Sequence, residues 1–259
     1  WLNHLATNES RGKLLAVYMV ISGGCFGAGQ FLVGWVETRD LASFATAALF
    51  TSLAVVPVAL SEDANPPVIA PTEKYGLRDL ARDTPSGAGS CLLVGLAHGA
   101  TAAMIAAYAT SVGMSAPEVG RFVAATAVGA VLLQWPISAA SDEIDRRFVG
   151  VVTAAGAVIV VIWLLIDGPF GGRGLVAMGL FGGLSFPLYS LAGAYTNDWV
   201  PSRYANAAAS QVVALFGIGA LIGPLFVAVF QSVAGAEGFL WALLVAHLAI
   251  IAFLIYRLL

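Results

Sequence analysis

The sequence is short of charge. Asp, Glu, Lys and Arg make up 10% of its 259 residues, whereas Ala, Val, Ile, Leu, Met, Phe, Trp, Tyr and Cys make up 59%; soluble domains run near ~25% and ~45–50%. A soluble chain of this length has too much surface to hide that apolar share, so the composition calls for a bilayer as solvent. The mean hydropathy of +0.87 agrees. A basic excess is also missing, because the net charge is −3, which excludes the cationic face that nucleic acid requires. Cysteine is scarce: Cys25 and Cys91 sit in separate apolar runs without metal or CxxC spacing and read as small hydrophobes. There is no nucleophile elbow, Walker loop, HExxH or buried acid pair, so the sequence offers no enzyme, no metal and no cofactor. No signal-peptide pattern is present. The chain opens at Trp1, and its first Met is Met19, inside an apolar run; it reads as a stretch whose N-terminal part lies upstream.

What is present is a series of long apolar runs. A membrane helix needs ~20 mostly apolar residues to cross ~30 Å of hydrocarbon. Eight runs qualify: 14–36, 41–60, 90–111, 119–140, 149–166, 174–195, 205–232 and 239–257. The fold class is therefore an all-α integral membrane protein; a β-barrel would alternate every second residue over ~10 residues. Charge fixes the orientation. Arg11, Lys13, Lys74, Arg78, Arg82, Arg146, Arg147, Arg203 and Arg257 fall on one side, and only Arg39, Arg121 and Arg173 on the other. The richer side is cytoplasmic, which places the C-terminus inside. The single long connection, 61–89, opens with the stiff "NPPVIAP" and continues as "EKYGLRDLARD", a short amphipathic helix expected to lie on the membrane surface.

Residues 11–34 and 205–228 align at an offset of 194, matching Gly23 with Gly217 and Gly29 with Gly223. Six spans separate them, as in a duplicated bundle. "LRDLARDTPSGAGSCLLVGLAHGA", "LLQWPISAASDEIDRR", "GLSFPLYSLAGAYTNDWVPSR" and "GIGALIGPL" resemble segments of the major facilitator superfamily (MFS) of transporters, its bacterial YcaD-like branch in particular. The resemblance implies helices five to twelve of a twelve-helix fold built as two pseudo-symmetric six-helix bundles. Residues 1–60 would end the N-terminal bundle, 61–89 would be the central linker, and 90–259 would form the C-terminal bundle. It implies secondary-active transport of a small solute by alternating access, H⁺ or another ion as a coupling partner, a bacterial-type inner membrane, and a monomer. The first four helices would be needed for activity. A non-transporting sensor or scaffold, or a membrane enzyme, are the competing readings.

Few polar residues lie within the spans, and each has two readings. His98 is either a substrate- or proton-linked group or a packing histidine bonded to a carbonyl. Gln134 and Gln30 are cavity groups or interhelical glue. Tyr189 and Ser185 flank Pro187 and suit a cavity wall, although membrane serines commonly bond their own backbone. His247 reads as a packing or lipid-flanking residue. Glu118 and Arg121 share a helical face at the outer edge, as a local ion pair or a gating pair. Gly23, Gly27, Gly219, Gly223 and Pro224 read as close-packing positions. In "SAASDEIDRR" the family pattern, Gly-x-x-x-Asp-Arg-x-x-Arg-Arg, is met in part: Asp142 keeps the acid, Glu143 reverses a charge, and Arg146 and Arg147 keep the basic pair. The resemblance makes Asp142, Asp145, Arg146 and Arg147 a cytoplasmic latch.

Overall fold

The computed structural model describes residues 21, 22, 24, 25, 28, 29, 41–60 and 75–259, apart from the side chains of Ser43 and Ser202. The first expected span falls mostly outside the described residues, as do Gly23, Gly27, Gln30 and the proline-rich half of the linker. The helices are α1 (Leu41–Ala59), α2 (Leu77–Asp83), α3 (Pro85–Ser111), α4 (Ala116–Glu143), α5 (Arg146–Asp167), α6 (Gly171–Ser185), α7 (Pro187–Trp199), α8 (Ala205–Ala234) and α9 (Gly238–Leu258). Short 3₁₀ turns cover Ser202–Tyr204 and Gly235–Glu237, and no strand occurs among the described residues. Among the described residues, five helical stretches are long and apolar enough to cross a membrane, one of them running from Ala205 to Leu258 through the turn at Gly235. Phe44–Ala59 is apolar but shorter.

Local chemistry sets the helix ends. Pro85 and Pro187 occupy first helical positions, where a missing N–H costs nothing. Asp145 caps α5 by accepting from the Arg147 backbone N–H at 2.8 Å. Gly168 and Gly235 end α5 and α8 with φ of 82° and 59°, a region that disfavours side chains with a Cβ.

The sixth expected span, 174–195, is not one rod. It breaks at Phe186, between α6 and α7. Pro187 has no N–H to offer the Gly183 carbonyl, and the Tyr189 N–H turns to the Phe186 carbonyl at 3.3 Å. That leaves the Ser185 carbonyl without its helical partner.

Glycine-lined contacts hold the bundle together. Gly95 and Gly99 on α3 face Gly219 and Gly223 on α8: a Cβ on Gly95 would run into the Phe216 carbonyl, and one on Gly223 into the Ala100 amide. Pro224 removes the donor for the Ala220 carbonyl, and a Cβ on Gly99 would strike that same carbonyl. Gly129 on α4 and Gly182 on α6 repeat the arrangement, against the Gly179 and Thr126 carbonyls. In hydrocarbon, where burial supplies no net hydrophobic drive, backbone approach of this kind gains dispersion contact instead.

Aromatic packing fills one end of the bundle around Tyr108, Phe122, Phe181 and Phe239. Val94, Leu188 and Ile250 pack the middle, and Leu80, Cys91, Ala208 and Val212 the opposite end. The outward faces are apolar: Leu221, Leu225, Val229 and Val233 along α8 are 65–88% exposed. Such a surface needs lipid against it. The α2 helix docks on the bundle: Leu80 is fully buried among Tyr75, Ala88 and Cys91, while Ala81 faces out.

Candidate functional site

Two polar sets stand out, one deep in the bundle and one at its rim. The deep set forms around the α6–α7 break. His98 on α3 takes up the orphaned Ser185 carbonyl through Nε2 at 3.0 Å. Its ring stacks on Phe186, with centroids 4.7 Å apart, and meets Phe216 edge-on at 5.6 Å. The Ser185 hydroxyl bonds His247 Nε2 at 3.0 Å, and His247 Nδ1 donates to the Leu243 carbonyl at 2.8 Å. Three helices are thereby tied at one serine.

Burial bears on the alternatives named for these residues. Ser185 is fully buried and His98 nearly so, and His98 has the carbonyl bond of its packing reading. His247 is fully buried as well, in keeping with the packing one of its two readings. The break explains the clustering, since a carbonyl released inside a membrane bundle must find a donor. Gln134 lies on α4, half-buried, and its Nε2 donates to Ser190 Oγ at 2.8 Å and Ser138 Oγ at 3.2 Å. Ser190 bonds back to the Pro187 carbonyl, so Gln134 clasps α4 to the start of α7. Tyr189 is half-buried with its ring against Phe216, 4.6 Å between centroids.

At the rim, the loop between α4 and α5 gathers three acids and three arginines. Arg146 donates through Nε to Asp198 at 2.7 Å and through Nη1 to Asp142 at 3.0 Å and to Ser141 Oγ at 2.9 Å. It bridges the ends of α4 and α7 from the start of α5. Arg147 folds onto Asp145, with Nη2 at 2.8 Å, and reaches the Arg257 carbonyl near the end of α9 at 2.5 Å. Arg257 in turn donates to Ser86 Oγ at the start of α3 at 2.9 Å. The Arg147 side chain, ahead of an opposing desolvation, holds the Asp145 carboxyl below the ordinary carboxylate value. A cavity of about 20 Å³, room for roughly one water, lies beneath, lined by Ser86, Ser90, Arg146, Arg147 and Tyr195.

Asp198, Ser86 and Arg257 are absent from the sequence reading of this rim. Asp198 had a signal, in the charged stretch "NDWVPSR" on the same side, but nothing in the sequence pairs it with Arg146. At the opposite end the expected Glu118–Arg121 pair does not form. Glu118 accepts from the Ser115 N–H at 2.8 Å and the Ser115 hydroxyl at 2.6 Å, closing a capping box, and Arg121 donates to the Pro117 carbonyl at 3.3 Å. The orphan donors of the helix start outcompete an exposed arginine for the carboxylate. Among the described residues no three His, Cys, Asp or Glu side chains gather as a metal site.

No protein-family model matches the chain. Curated relatives are the uncharacterised MFS-type transporter YcaD of Escherichia coli O6:K15:H31 (strain 536), 24% identical over 231 residues, and YcaD of strains O7:K1 (IAI39) and K12 (DH10B), each 23% identical. The matches cover 87% of this chain and 58% of each relative, so the chain spans under two thirds of their length. The chain, all-helical among the described residues and with several helices long and apolar enough to cross a membrane, is similar over most of its length to the YcaD-type MFS transporters.

Proposed function

We propose that the chain is the larger part of a secondary-active transporter that moves a small solute across a bacterial-type cytoplasmic membrane by alternating access. In this reading α3–α9 form the C-terminal six-helix bundle, α1 belongs to the N-terminal bundle, and residues 61–89 link the two. The rim of α4, α5, α7 and α9 faces the cytoplasm.

One observation carries the reading: the Arg146-centred set, which joins the ends of three helices at one rim. Among the described residues the other rim has a single ion pair, the exposed Asp167–Arg173 contact at 3.4 Å. Asp142 and Asp198 are 69% and 51% exposed, so each pair contributes at most about 1 kcal/mol. Contacts that weak suit a gate that must open and close many times. Asp142, Arg146 and Asp198 form the gate, and Asp145 and Arg147 anchor it to α9. Gln134 and Tyr189, the polar groups left partly accessible, are the wall residues for substrate.

The test is charge removal in the intact protein. Asp198→Asn and Asp142→Asn are expected to raise the alkylation rate of a cysteine placed at the cytoplasmic rim, Ala140→Cys, by up to about fivefold, the factor that ~1 kcal/mol of lost latch energy is worth. An unchanged rate in both variants would remove the gate from the account. A thermal-shift screen of small solutes then identifies the substrate, because a ligand of the folded state raises its apparent stability.

A further inference from the structure

The two histidines that meet at Ser185 are not equivalent. A carbonyl only accepts, so His98 carries its proton on Nε2 and leaves Nδ1 as the lone-pair nitrogen. By the same logic the Leu243 carbonyl fixes His247 with its proton on Nδ1, and Nε2 accepts from the Ser185 hydroxyl. A proton arriving at His247 would have to turn that hydroxyl round. A proton arriving at His98 breaks no bond, because its Nδ1 has no partner among the described residues. None of the buried side-chain nitrogens or oxygens among them is both sealed and unpartnered, so Nδ1 meets the surface through the 6% of His98 that stays accessible.

We propose that Nδ1 of His98 is a proton-binding site and that its occupancy is coupled to the conformation of the α6–α7 break. Protonation turns Nε2–H···O=C into a charge-assisted bond on the Ser185 carbonyl, which the turn of the Tyr189 N–H to Phe186 leaves free at the break, so the charge bears directly on the break. The groups facing the ring are Phe186 from the break and Phe216 from α8, with His247 of α9 behind Ser185. Tyr189 of α7 shares Phe216, and Cys91 lies two turns along α3. No carboxylate, lysine or arginine among the described residues contacts the ring. A second imidazolium would stand one serine away, so the pair holds one proton. An imidazolium without a counter-ion inside a membrane needs water at its free N–H. Protonation therefore favours the conformation that hydrates Nδ1, and deprotonation favours the closed one. The coupling rests on the alternating-access reading above; the proton site itself does not.

The experiment uses the intact protein in lipid nanodiscs with ¹⁵N-labelled histidine, and a parallel sample spin-labelled at Leu60→Cys and Ala140→Cys. The expected result is that the His98 Nδ1 resonance moves from lone-pair to protonated as pH falls, while His247 keeps its Nδ1–H form. Over the same range the ratio of the populations at the two inter-label distances shifts by up to about tenfold per pH unit, the limit for one proton. His98→Gln, whose amide N–H retains a donor for Ser185, is expected to abolish the shift. A His98 ring that stays neutral until the protein unfolds, or a His247 that titrates first, overturns the site even if the variant fails to fold. A pH shift that survives His98→Gln overturns the coupling while the transport reading stands. One distance at every pH overturns the coupling together with alternating access, and the ring titration then decides the site independently.

Discussion

At the scale of single residues, what decides each polar side chain is the nearest backbone group lacking a partner. Glu118 belongs to its own helix start, His98 to the Ser185 carbonyl left free at the α6–α7 break, and Asp145 to the first turn of α5. Asp145→Ala is expected to lower stability by about 1 kcal/mol, and Asp145→Ser to recover most of that, since serine also caps. Thermal unfolding in detergent measures both. The carboxyl is held below its ordinary value in the fold, so its stabilising contribution is present above the unfolded value and is lost as pH falls through the folded one. The gap between wild type and Asp145→Asn is therefore expected to narrow below about pH 4. A gap that widens on acidification contradicts this assignment.

At the scale of helices, glycine contacts carry the packing. Gly219→Leu would drive a side chain into the Leu92 carbonyl, whereas nothing lies within 4 Å of a Cβ on Gly217. The first is expected to cost about 1–3 kcal/mol, and Gly217→Leu to be close to neutral, by the same unfolding measurement. This contrast also shows what was legible beforehand. Seven of the eight apolar runs reappear, 41–60 as α1 and those from 90 onward as α3, α4, α5, α6 with α7, α8 and α9, with ends moved by at most five residues, because lipid imposes length and apolarity locally. The Gly219-xxx-Gly223 spacing was readable too, but its partner, Gly95 and Gly99, was not: spacing marks a close-packing face and is silent on which helix meets it. For the same reason the break at Phe186 was visible only as a proline, and the carbonyl it frees, with the histidine that answers it, came from the fold. The docking of α2 likewise follows from tertiary contact at Leu80 that an amphipathic pattern does not specify.

At the scale of the whole molecule, the described bundle combines a polar rim, a buried histidine–serine node and an apolar outer surface, and the proposed alternating access would move it as a body. The direct measurement is a pair of spin-label distances in the intact protein in nanodiscs: Leu60→Cys with Ala140→Cys, at the helix ends proposed to face the cytoplasm, and Leu41→Cys with Thr110→Cys, at the ends proposed to face the other side. All four positions are exposed. Alternating access predicts two populations in which one distance lengthens as the other shortens, and Asp198→Asn moves the balance toward the longer cytoplasmic distance. Two distances that stay fixed, or that lengthen together, would contradict it.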